Sequence, residues 1–205
     1  ADLWMQDKKG ILKFATGSGK TKTAILITEN IKMENNKLLF VIVVPDKTLV
    51  NQWNDELEKY NQNILKCYSD YNWENKLIDL SYEYDEYENL VQFIITTNDT
   101  FFGDKFQRPF KKFQNNYMLI VDECHTWGTE RILSNLPNPT MKLGLSATPE
   151  LFFSESKTER LLSFFGGVLS TYSLEDAIEE KKLVPYKYHP IVVNLTSDEK
   201  EQYDK

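Results

Sequence analysis

The fold of this chain is decided by the stretch Phe14-Ala15-Thr16-Gly17-Ser18-Gly19-Lys20-Thr21. It follows a short apolar run at residues 10–14 and precedes a helix-like run at residues 22–27. Glycines allow successive backbone N–H groups to converge on phosphate oxygens, and the N-terminus of a following helix adds positive potential. The stretch therefore predicts a phosphate-binding loop between a strand and a helix. The alternative is an ordinary glycine-rich turn before a helix.

The side chains of this loop suit a nucleotide and its cation. Lys20 would supply a point charge for the β- and γ-phosphates, and the Thr21 hydroxyl suits Mg²⁺. Phe14 departs from the general P-loop pattern, because it occupies the position of that pattern's first glycine. The other candidate ATP-binding residues are Thr16, Gly17, Ser18 and Gly19.

Length and composition favour one large domain, or one domain with an appendage. The chain has 205 residues, of which 41% are hydrophobic, enough for a sizeable core. No apolar run approaches the roughly 20 residues that a membrane helix needs, and no secretory signal is visible at the start. The two cysteines, Cys67 and Cys124, predict no disulfide framework and favour a reduced, cytoplasmic setting. With only His125 and His189 beside them, they predict no zinc site.

Charge excludes a uniformly basic surface for nucleic acid but leaves room for a local positive groove. The net charge is −7. Acidic residues concentrate at residues 70–88, which hold seven acids and one lysine interleaved with tyrosines. This segment is either a partner-binding patch or a solvated helix and loop with some aromatic core contacts, and we favour the second interpretation.

Apolar runs alternate with helix-like segments along most of the chain. Predicted strands cover residues 10–15, 38–44, 64–68, 92–97, 117–122 and 141–146. Predicted helices cover residues 20–34, 47–60, 73–89, a shorter segment that ends near Gln114, and 129–135. Nearly continuous apolar strands such as 38–44 are typical of strands that are covered on both faces. The alternation predicts an α/β fold with a mostly parallel sheet and helices on both faces.

The regular alternation of strands and helices changes after the last of these strands. A helix is predicted at residues 154–165, closed by Gly166-Gly167, and a second helix opens at Ser173 with a sequence typical of a capping box. A strand at residues 188–195 and a helix capped by Ser197 follow. We therefore divide the chain into a main domain at residues 1–170 and an extension or connector at residues 171–205, and expect the parent protein to continue beyond Lys205.

Two carboxylates follow the apolar run at residues 117–121. Asp122 and Glu123 would lie at the carboxyl end of a buried strand, where open α/β sheets bind ligands. A buried acid needs a partner, and Mg²⁺ carried by ATP is a natural one. Asp122 would hold that ion, directly or through water, and Glu123 would orient and deprotonate an attacking water.

The strand at residues 141–146 also ends in small hydroxyl residues. Ser146 and Thr148 could hydrogen-bond His125 and sense the state of a nucleotide. Taken alone, the segment is better interpreted as a plain exit from strand to loop, where serine and threonine are common.

Three segments in this order resemble motifs I, II and III of superfamily 2 helicases and translocases: Ala-Thr-Gly-Ser-Gly-Lys-Thr at 15–21, Asp-Glu-Cys-His at 122–125 and Ser-Ala-Thr-Pro at 146–149. Residues 43–53 resemble motif Ia, and residues 95–100 resemble motif Ib. The tail at 165–186 is similar to the end of the first motor domain in restriction-enzyme motor subunits and excision-repair-type DNA helicases. The resemblance covers nearly the whole chain.

The resemblance implies a RecA-like P-loop NTPase fold, ATP hydrolysis, and nucleic acid held across two such domains. By position, residues 16–21 would bind the phosphates, and Thr21 and Asp122 would hold Mg²⁺. The implied catalytic residues are Lys20, Asp122 and Glu123.

The resemblance also assigns residues to the coupling between hydrolysis and movement, namely His125, Ser146 and Thr148. Lys47 and Thr97 would contact the backbone of the tracked strand. The implied partners are nucleic acid, DNA rather than RNA by the similarity of Gln52-Trp53 and of the tail, and a second RecA-like domain of the parent chain. No membrane partner is expected.

Two parts of the family pattern do not occur in the 205 residues. The adenine-reading glutamine would fall before Ala1, and the motifs of the second RecA-like domain, with its arginine finger, are missing. The sequence therefore predicts the first motor domain of an ATP-dependent DNA helicase or translocase that is weak or inactive alone. The alternatives are an RNA helicase domain and a nucleotide-binding scaffold without motor activity.

An aromatic and basic segment lies between the fourth and fifth predicted strands. Phe106, Phe110 and Phe113 recur at helical spacing, with basic residues between them. Such a mixture can stack on nucleic acid, but the spacing favours phenylalanines that pack against the sheet.

Overall fold

Seven strands form one parallel sheet in the computed structural model, which describes residues 2–60, 62–69, 71–151, 154–185 and 189–191. In space the strands follow the order β3-β4-β2-β5-β6-β1-β7. Their bounds are β1 Lys9–Phe14, β2 Lys37–Val44, β3 Ile64–Cys67, β4 Leu90–Thr97, β5 Met118–Asp122, β6 Met141–Ser146 and β7 Val168–Tyr172.

Helices connect these strands. Their bounds are α1 Asp2–Asp7, α2 Lys20–Glu34, α3 Lys47–Glu58, α4 Glu74–Glu86, α5 Asn98–Phe101, α6 Asp104–Phe110, α7 Glu130–Leu133, α8 Glu155–Phe165 and α9 Leu174–Glu179. Short 3₁₀ turns cover Lys111–Phe113 and Cys124–Gly128.

Alternating side chains of the central strands supply two separate hydrophobic cores. In β2, Leu39, Val41 and Val43 point to one face of the sheet, and the residues between them point to the other. Since successive side chains of a strand face opposite ways, a strand that is apolar throughout must be covered on both sides. This requirement explains why residues 38–44 carry no polar side chain.

Helices cover each face of the sheet. Ile25 of α2 and Trp53 of α3 pack into the core on one face. Leu77 of α4, Phe106 of α6 and Phe165 of α8 pack into the core on the other. The predicted α/β class, with a parallel sheet between two helical layers, is confirmed.

The aromatic segment packs inward. Phe106, Phe110 and Phe113 are buried in the same core, each beside another aromatic ring of the group. The prediction that these side chains pack against the sheet is confirmed.

No helix in the described part of the chain has both the length and the apolar character that a membrane span requires.

The main unpredicted element is the edge strand β7, which pairs with β1. Its side chains are half-buried or exposed, so it lacks the continuous apolar run that marks the central strands. The predicted boundary after residue 170 falls inside this strand, and the division into 1–170 and 171–205 stays a prediction. Of the strand predicted at 188–195, only 189–191 are described, and they are neither helix nor strand; the predicted helix after Ser197 lies outside the described residues.

Candidate active site

The parallel arrangement brings the polar strand ends to one edge of the sheet. The loop after β1, the acidic pair after β5 and Ser146 at the end of β6 all lie at carboxyl ends. Because β6 lies between β1 and β5, the strand end that carries Ser146 lies between the ends of β1 and β5. Open α/β sheets bind their ligands at this edge.

In the loop between β1 and α2, the glycines adopt backbone angles that residues with side chains rarely adopt. Gly17 has φ 79° and Gly19 has φ 101°, both in the left-handed region. A Cβ added at Gly19 would meet nothing within 4 Å. Glycine is therefore required at this position by its backbone angle and not by a lack of space. The Ser18 amide and hydroxyl both donate to the carbonyl of Ala15, which tightens the turn.

Lys20 is the first residue of α2 and is only 8% exposed. Its Nζ atom donates a hydrogen bond to the Phe14 carbonyl, 3.1 Å away, across the mouth of the loop. The first turn of α2 holds no acidic side chain. The ammonium group is therefore held at the N-terminus of the helix, where positive potential is already concentrated.

Asp122 ends β5 and is only 6% exposed. Both of its carboxylate oxygens accept a hydrogen bond: Oδ1 from the Glu123 amide at 2.9 Å, and Oδ2 from Trp53 Nε1 at 2.8 Å. Glu123 itself adopts left-handed backbone angles, φ 46° and ψ 51°, which are uncommon for a residue with a side chain. The chain thus turns sharply between the two acids, and the Glu123 side chain is partly exposed.

The histidine of the acidic motif contacts the end of β6. His125 Nδ1 lies 3.1 Å from Ser146 Oγ and 3.4 Å from Glu123 Oε2. Ser146 Oγ also accepts a hydrogen bond from the Thr148 amide. The three residues predicted to couple hydrolysis to movement therefore form one contact group beside Glu123.

Lys20 and Asp122 line one cleft of about 610 Å³. The structure brings together Thr16, Gly17, Gly19, Lys20, Thr21, Asp122 and Glu123 on its walls. Of the other predicted site residues, Ser18, His125, Ser146, Thr148, Lys47 and Thr97 do not line it. Burial raises the pKa of the Cys124 thiol, so this neighbour of the acidic pair stays neutral.

The opposite wall of the cleft was not predicted. It belongs to α3 and consists of Leu49, Gln52, Trp53, Asp55, Glu56 and Lys59. The amphipathic pattern of α3 identifies Trp53 as buried, but it does not reveal that the polar residues beside it face the glycine-rich loop. Within this wall, the hydrogen bond from Lys59 lowers the pKa of the Glu56 carboxyl.

The two candidate nucleic-acid contacts lie at the same edge of the sheet, on the side away from β1. Lys47 begins α3 directly after β2, and Thr97 ends β4 and caps α5 by accepting the Thr100 amide. Val44 and Thr97 are register partners in the pairing of β2 with β4, so the ends of the two strands are neighbours. Lys47 is exposed and Thr97 is half-buried.

Trp127 ties the acidic motif to the segment after Thr97. It is fully buried, and its Nε1 atom donates to Asn98 Oδ1 at 2.7 Å. The Asn98 amide donates in turn to the Thr126 hydroxyl. Trp127 packs among aromatic side chains and does not line the cleft.

Comparison with known proteins identifies a family. The profile of the family described as type III restriction enzyme, res subunit, matches residues 2–151. The chain is 29% identical to the DNA 3'-5' translocase XPB2 of Sulfurisphaera tokodaii over 98% of its own length. It is 27% identical to the type I restriction enzyme EcoAI endonuclease subunit of Escherichia coli over 86% of its length. These matches confirm the resemblance to helicase and translocase motors.

A solved structure shares the fold. A nuclease-deletion mutant of the type ISP restriction-modification enzyme LlaGI, in complex with a DNA substrate mimic, matches 90% of this chain with a TM-score of 0.69 and 19% identity. The chain covers 17% of that protein, 40% of the translocase and 21% of the type I subunit. Likeness at this identity shows the fold, and it confirms the predicted RecA-like architecture.

Proposed function

Given that this chain belongs to the type III restriction enzyme res subunit family, we propose that it is the first ATP-binding motor domain of a DNA helicase or translocase. The observation that carries the proposal is that Lys20, Thr21, Asp122 and Glu123 line the same cleft. A triphosphate needs positive charge and backbone donors, its cation needs an acid, and hydrolysis needs a base.

Phosphate binding falls to residues 16–21. Five of these residues line the cleft, and α2 begins there at Lys20, so the first N–H groups of the helix would donate to the phosphates. Lys20 exchanges its bond to the Phe14 carbonyl for the β- and γ-phosphates. The exchange is favourable because a phosphate is an anionic acceptor and a carbonyl is neutral.

The donor set at the cleft fits Mg²⁺ that arrives with ATP. Among the described residues, no three His, Cys, Asp or Glu side chains are placed to hold a metal together. Mg²⁺ is usually bound by one or two carboxylates together with phosphates and water, which matches Asp122 and the Thr21 hydroxyl. The ion would neutralise charge that develops on the phosphates.

Glu123 is the proposed general base. Its side chain is partly exposed and borders the cleft beside Asp122, where a water in line with the γ-phosphate would lie. The left-handed backbone at Glu123 turns the chain sharply after Asp122, and we assign the two acids different tasks. Glu123 accepts a proton from the water as the phosphoryl group is transferred.

Coupling to movement would run through His125, Ser146 and Thr148. The hydroxyl of Ser146 joins the histidine to the backbone beyond β6. Because His125 Nδ1 also lies near the Glu123 carboxylate, a change at the base reaches this group directly.

The partners proposed are DNA and a second RecA-like domain of the parent chain. Lys47 and Thr97 would contact the backbone of the tracked strand from neighbouring strand ends. DNA is preferred to RNA because one relative is a DNA translocase and a structural neighbour was solved with a DNA substrate mimic. The second domain would supply the arginine finger.

The test is the ATPase rate of the parent protein alone, with duplex DNA, with single-stranded DNA and with RNA. We expect DNA to accelerate hydrolysis, and Glu123→Gln to lower the stimulated rate by about 100-fold or more while ATP still binds. Equal rates under all four conditions would contradict a nucleic-acid motor. Stimulation by RNA alone would move the assignment to an RNA helicase.

A further inference from the structure

Trp53 donates a hydrogen bond to the acid that is proposed to hold the cation. Its Nε1 atom lies 2.8 Å from Asp122 Oδ2, although the two residues are 69 positions apart in the chain. Trp53 is 1% exposed, Asp122 is 6% exposed, and both line the cleft. The bond is therefore charge-assisted and largely shielded from water.

This bond fixes how the carboxylate is turned. Trp53 Nε1 holds Oδ2 and the Glu123 amide holds Oδ1, so each oxygen is pinned by one donor. A carboxylate oxygen accepts about two hydrogen bonds, and one lone pair on each oxygen is left for another ligand. The donors thus set the direction in which the free lone pairs point into the cleft.

The position of the indole is set by α3. Asp46 caps this helix by accepting the amides of Thr48 and Leu49, and Val50, Trp53 and Leu57 form its buried stripe. Trp53 packs in the same core as Val44 at the end of β2. Because the indole is almost fully buried in this core, we expect its N–H group to move together with α3.

We propose that Trp53 is a positioning residue: its indole orients Asp122 for the cation of the nucleotide and makes that orientation depend on α3. The inference rests on the proposed function of the cleft. The same helix begins at Lys47, the proposed contact to the tracked strand, so a shift of α3 on nucleic acid alters the geometry at Asp122. In this proposal Trp53 acts on the cation only through Asp122.

A purely structural role for the hydrogen bond between Trp53 and Asp122 would have different consequences when the bond is removed. If the bond only satisfied a buried acid, its loss would lower stability and leave the dependence of nucleotide binding on Mg²⁺ unchanged. Positioning requires that the loss act on Mg²⁺ and act through Asp122. Residues that orient a metal ligand in this way typically change metal affinity by about 10- to 100-fold when they are replaced.

The experiment compares Trp53→Phe with Trp127→Phe in the intact protein. Both replacements remove one indole N–H from a fully buried tryptophan, but the Trp127 donor serves Asn98 and not Asp122. The readout is the binding of a methylanthraniloyl derivative of ATP, followed by fluorescence anisotropy at increasing Mg²⁺ and also without Mg²⁺. Thermal unfolding of both variants checks that they are folded.

We expect Trp53→Phe to raise the Mg²⁺ concentration for half-maximal binding by about 10-fold, with binding in the absence of Mg²⁺ unchanged. In Trp127→Phe, nucleotide binding should depend on Mg²⁺ as it does in the wild type. In a chain that carries Asp122→Ala, adding Trp53→Phe should have no further effect on Mg²⁺.

An unchanged Mg²⁺ requirement in Trp53→Phe overturns the inference. A further loss on the Asp122→Ala background also overturns it, because Trp53 would then act by another route. If the wild-type protein binds no nucleotide at any Mg²⁺ concentration, the proposed function fails and this inference falls with it. The first two outcomes leave the proposed function standing.

Discussion

Single polar residues at the strand ends are kept buried, and each has a partner. Lys20, Asp122 and Ser146 are all buried, and they contact the Phe14 carbonyl, two N–H donors and the Thr148 amide respectively. Among the described residues, no buried side-chain nitrogen or oxygen lacks a hydrogen-bond partner. These side chains are therefore held in place before a ligand arrives, which reduces the ordering that binding requires.

Replacement of Lys20 by alanine should weaken ATP binding by about 10-fold or more. A hydrogen bond to a charged group contributes about 1.5–3 kcal/mol, and each 1.4 kcal/mol is a factor of ten. The measurement is equilibrium binding of a fluorescent ATP derivative. Lys32→Ala, in the last turn of the same helix, is the control, because Lys32 is paired with Glu29 away from the cleft. Equal losses in the two variants would contradict the role of Lys20.

Replacement of Ser146 by alanine should separate ATP hydrolysis from movement. The change removes the oxygen that contacts both His125 Nδ1 and the Thr148 amide. We expect translocation by the parent protein to fall by about 3-fold or more beyond any fall in its DNA-stimulated ATPase rate, the size expected of a coupling residue.

Ser170→Ala in the edge strand is the matched control for Ser146→Ala and should change neither rate. If Ser146→Ala lowered hydrolysis and translocation by the same factor, the contact group would serve catalysis and not coupling.

Among the secondary-structure elements, α3 contributes most to the site that the sequence did not predict. It forms one wall of the cleft, carries the donor to Asp122, and begins at the residue proposed to contact nucleic acid. Its start depends on Asp46, whose Oδ1 atom accepts two backbone amides. The helix is thus capped where it leaves β2 and packed along its buried stripe.

Removing the cap with Asp46→Ala should lower the free energy of unfolding by about 1 kcal/mol, because two amides of the first turn lose their acceptor. Asp46→Asn should stay close to the wild type, since asparagine caps helices about as well as aspartate. Urea denaturation measures both. An equal loss in the two variants would indicate that the charge of Asp46, and not its capping geometry, stabilises α3.

As a whole molecule, the domain presents an open edge. All seven described strands run parallel, so the glycine-rich loop, the acids, Ser146, Lys47 and Thr97 share one edge of the sheet. The chain spans 40% of the translocase it resembles. A second domain placed against this edge would close the cleft over the nucleotide.

The chain by itself should therefore bind ATP weakly and hydrolyse it slowly. An arginine finger is worth about 10³–10⁵ in rate, and the described cleft contains no arginine. Steady-state phosphate release by this chain, compared with the parent protein on DNA, measures the difference. A turnover number for the chain that equals the rate of full-length motors would contradict the need for a second domain.

Local patterns were sufficient for the central elements. The apolar run at residues 38–44 predicted β2, because a strand buried on both faces has no room for polar side chains. Gly19-Lys20-Thr21 marked the junction of β1 and α2, and α2 begins at Lys20 as predicted. The edge strand β7 was not predicted, because a half-exposed strand that contains serine and threonine lacks a continuous apolar run.

Residue spacing along the chain thus determined the central strands, the glycine-rich loop and the acidic strand end, since these depend on neighbours within a few positions. Tertiary structure alone decided that β6 separates β1 from β5, that α3 walls the cleft, and that Trp53 holds Asp122. These features join residues that are tens of positions apart. Their contacts depend on how the helices pack on the sheet, which no local pattern encodes.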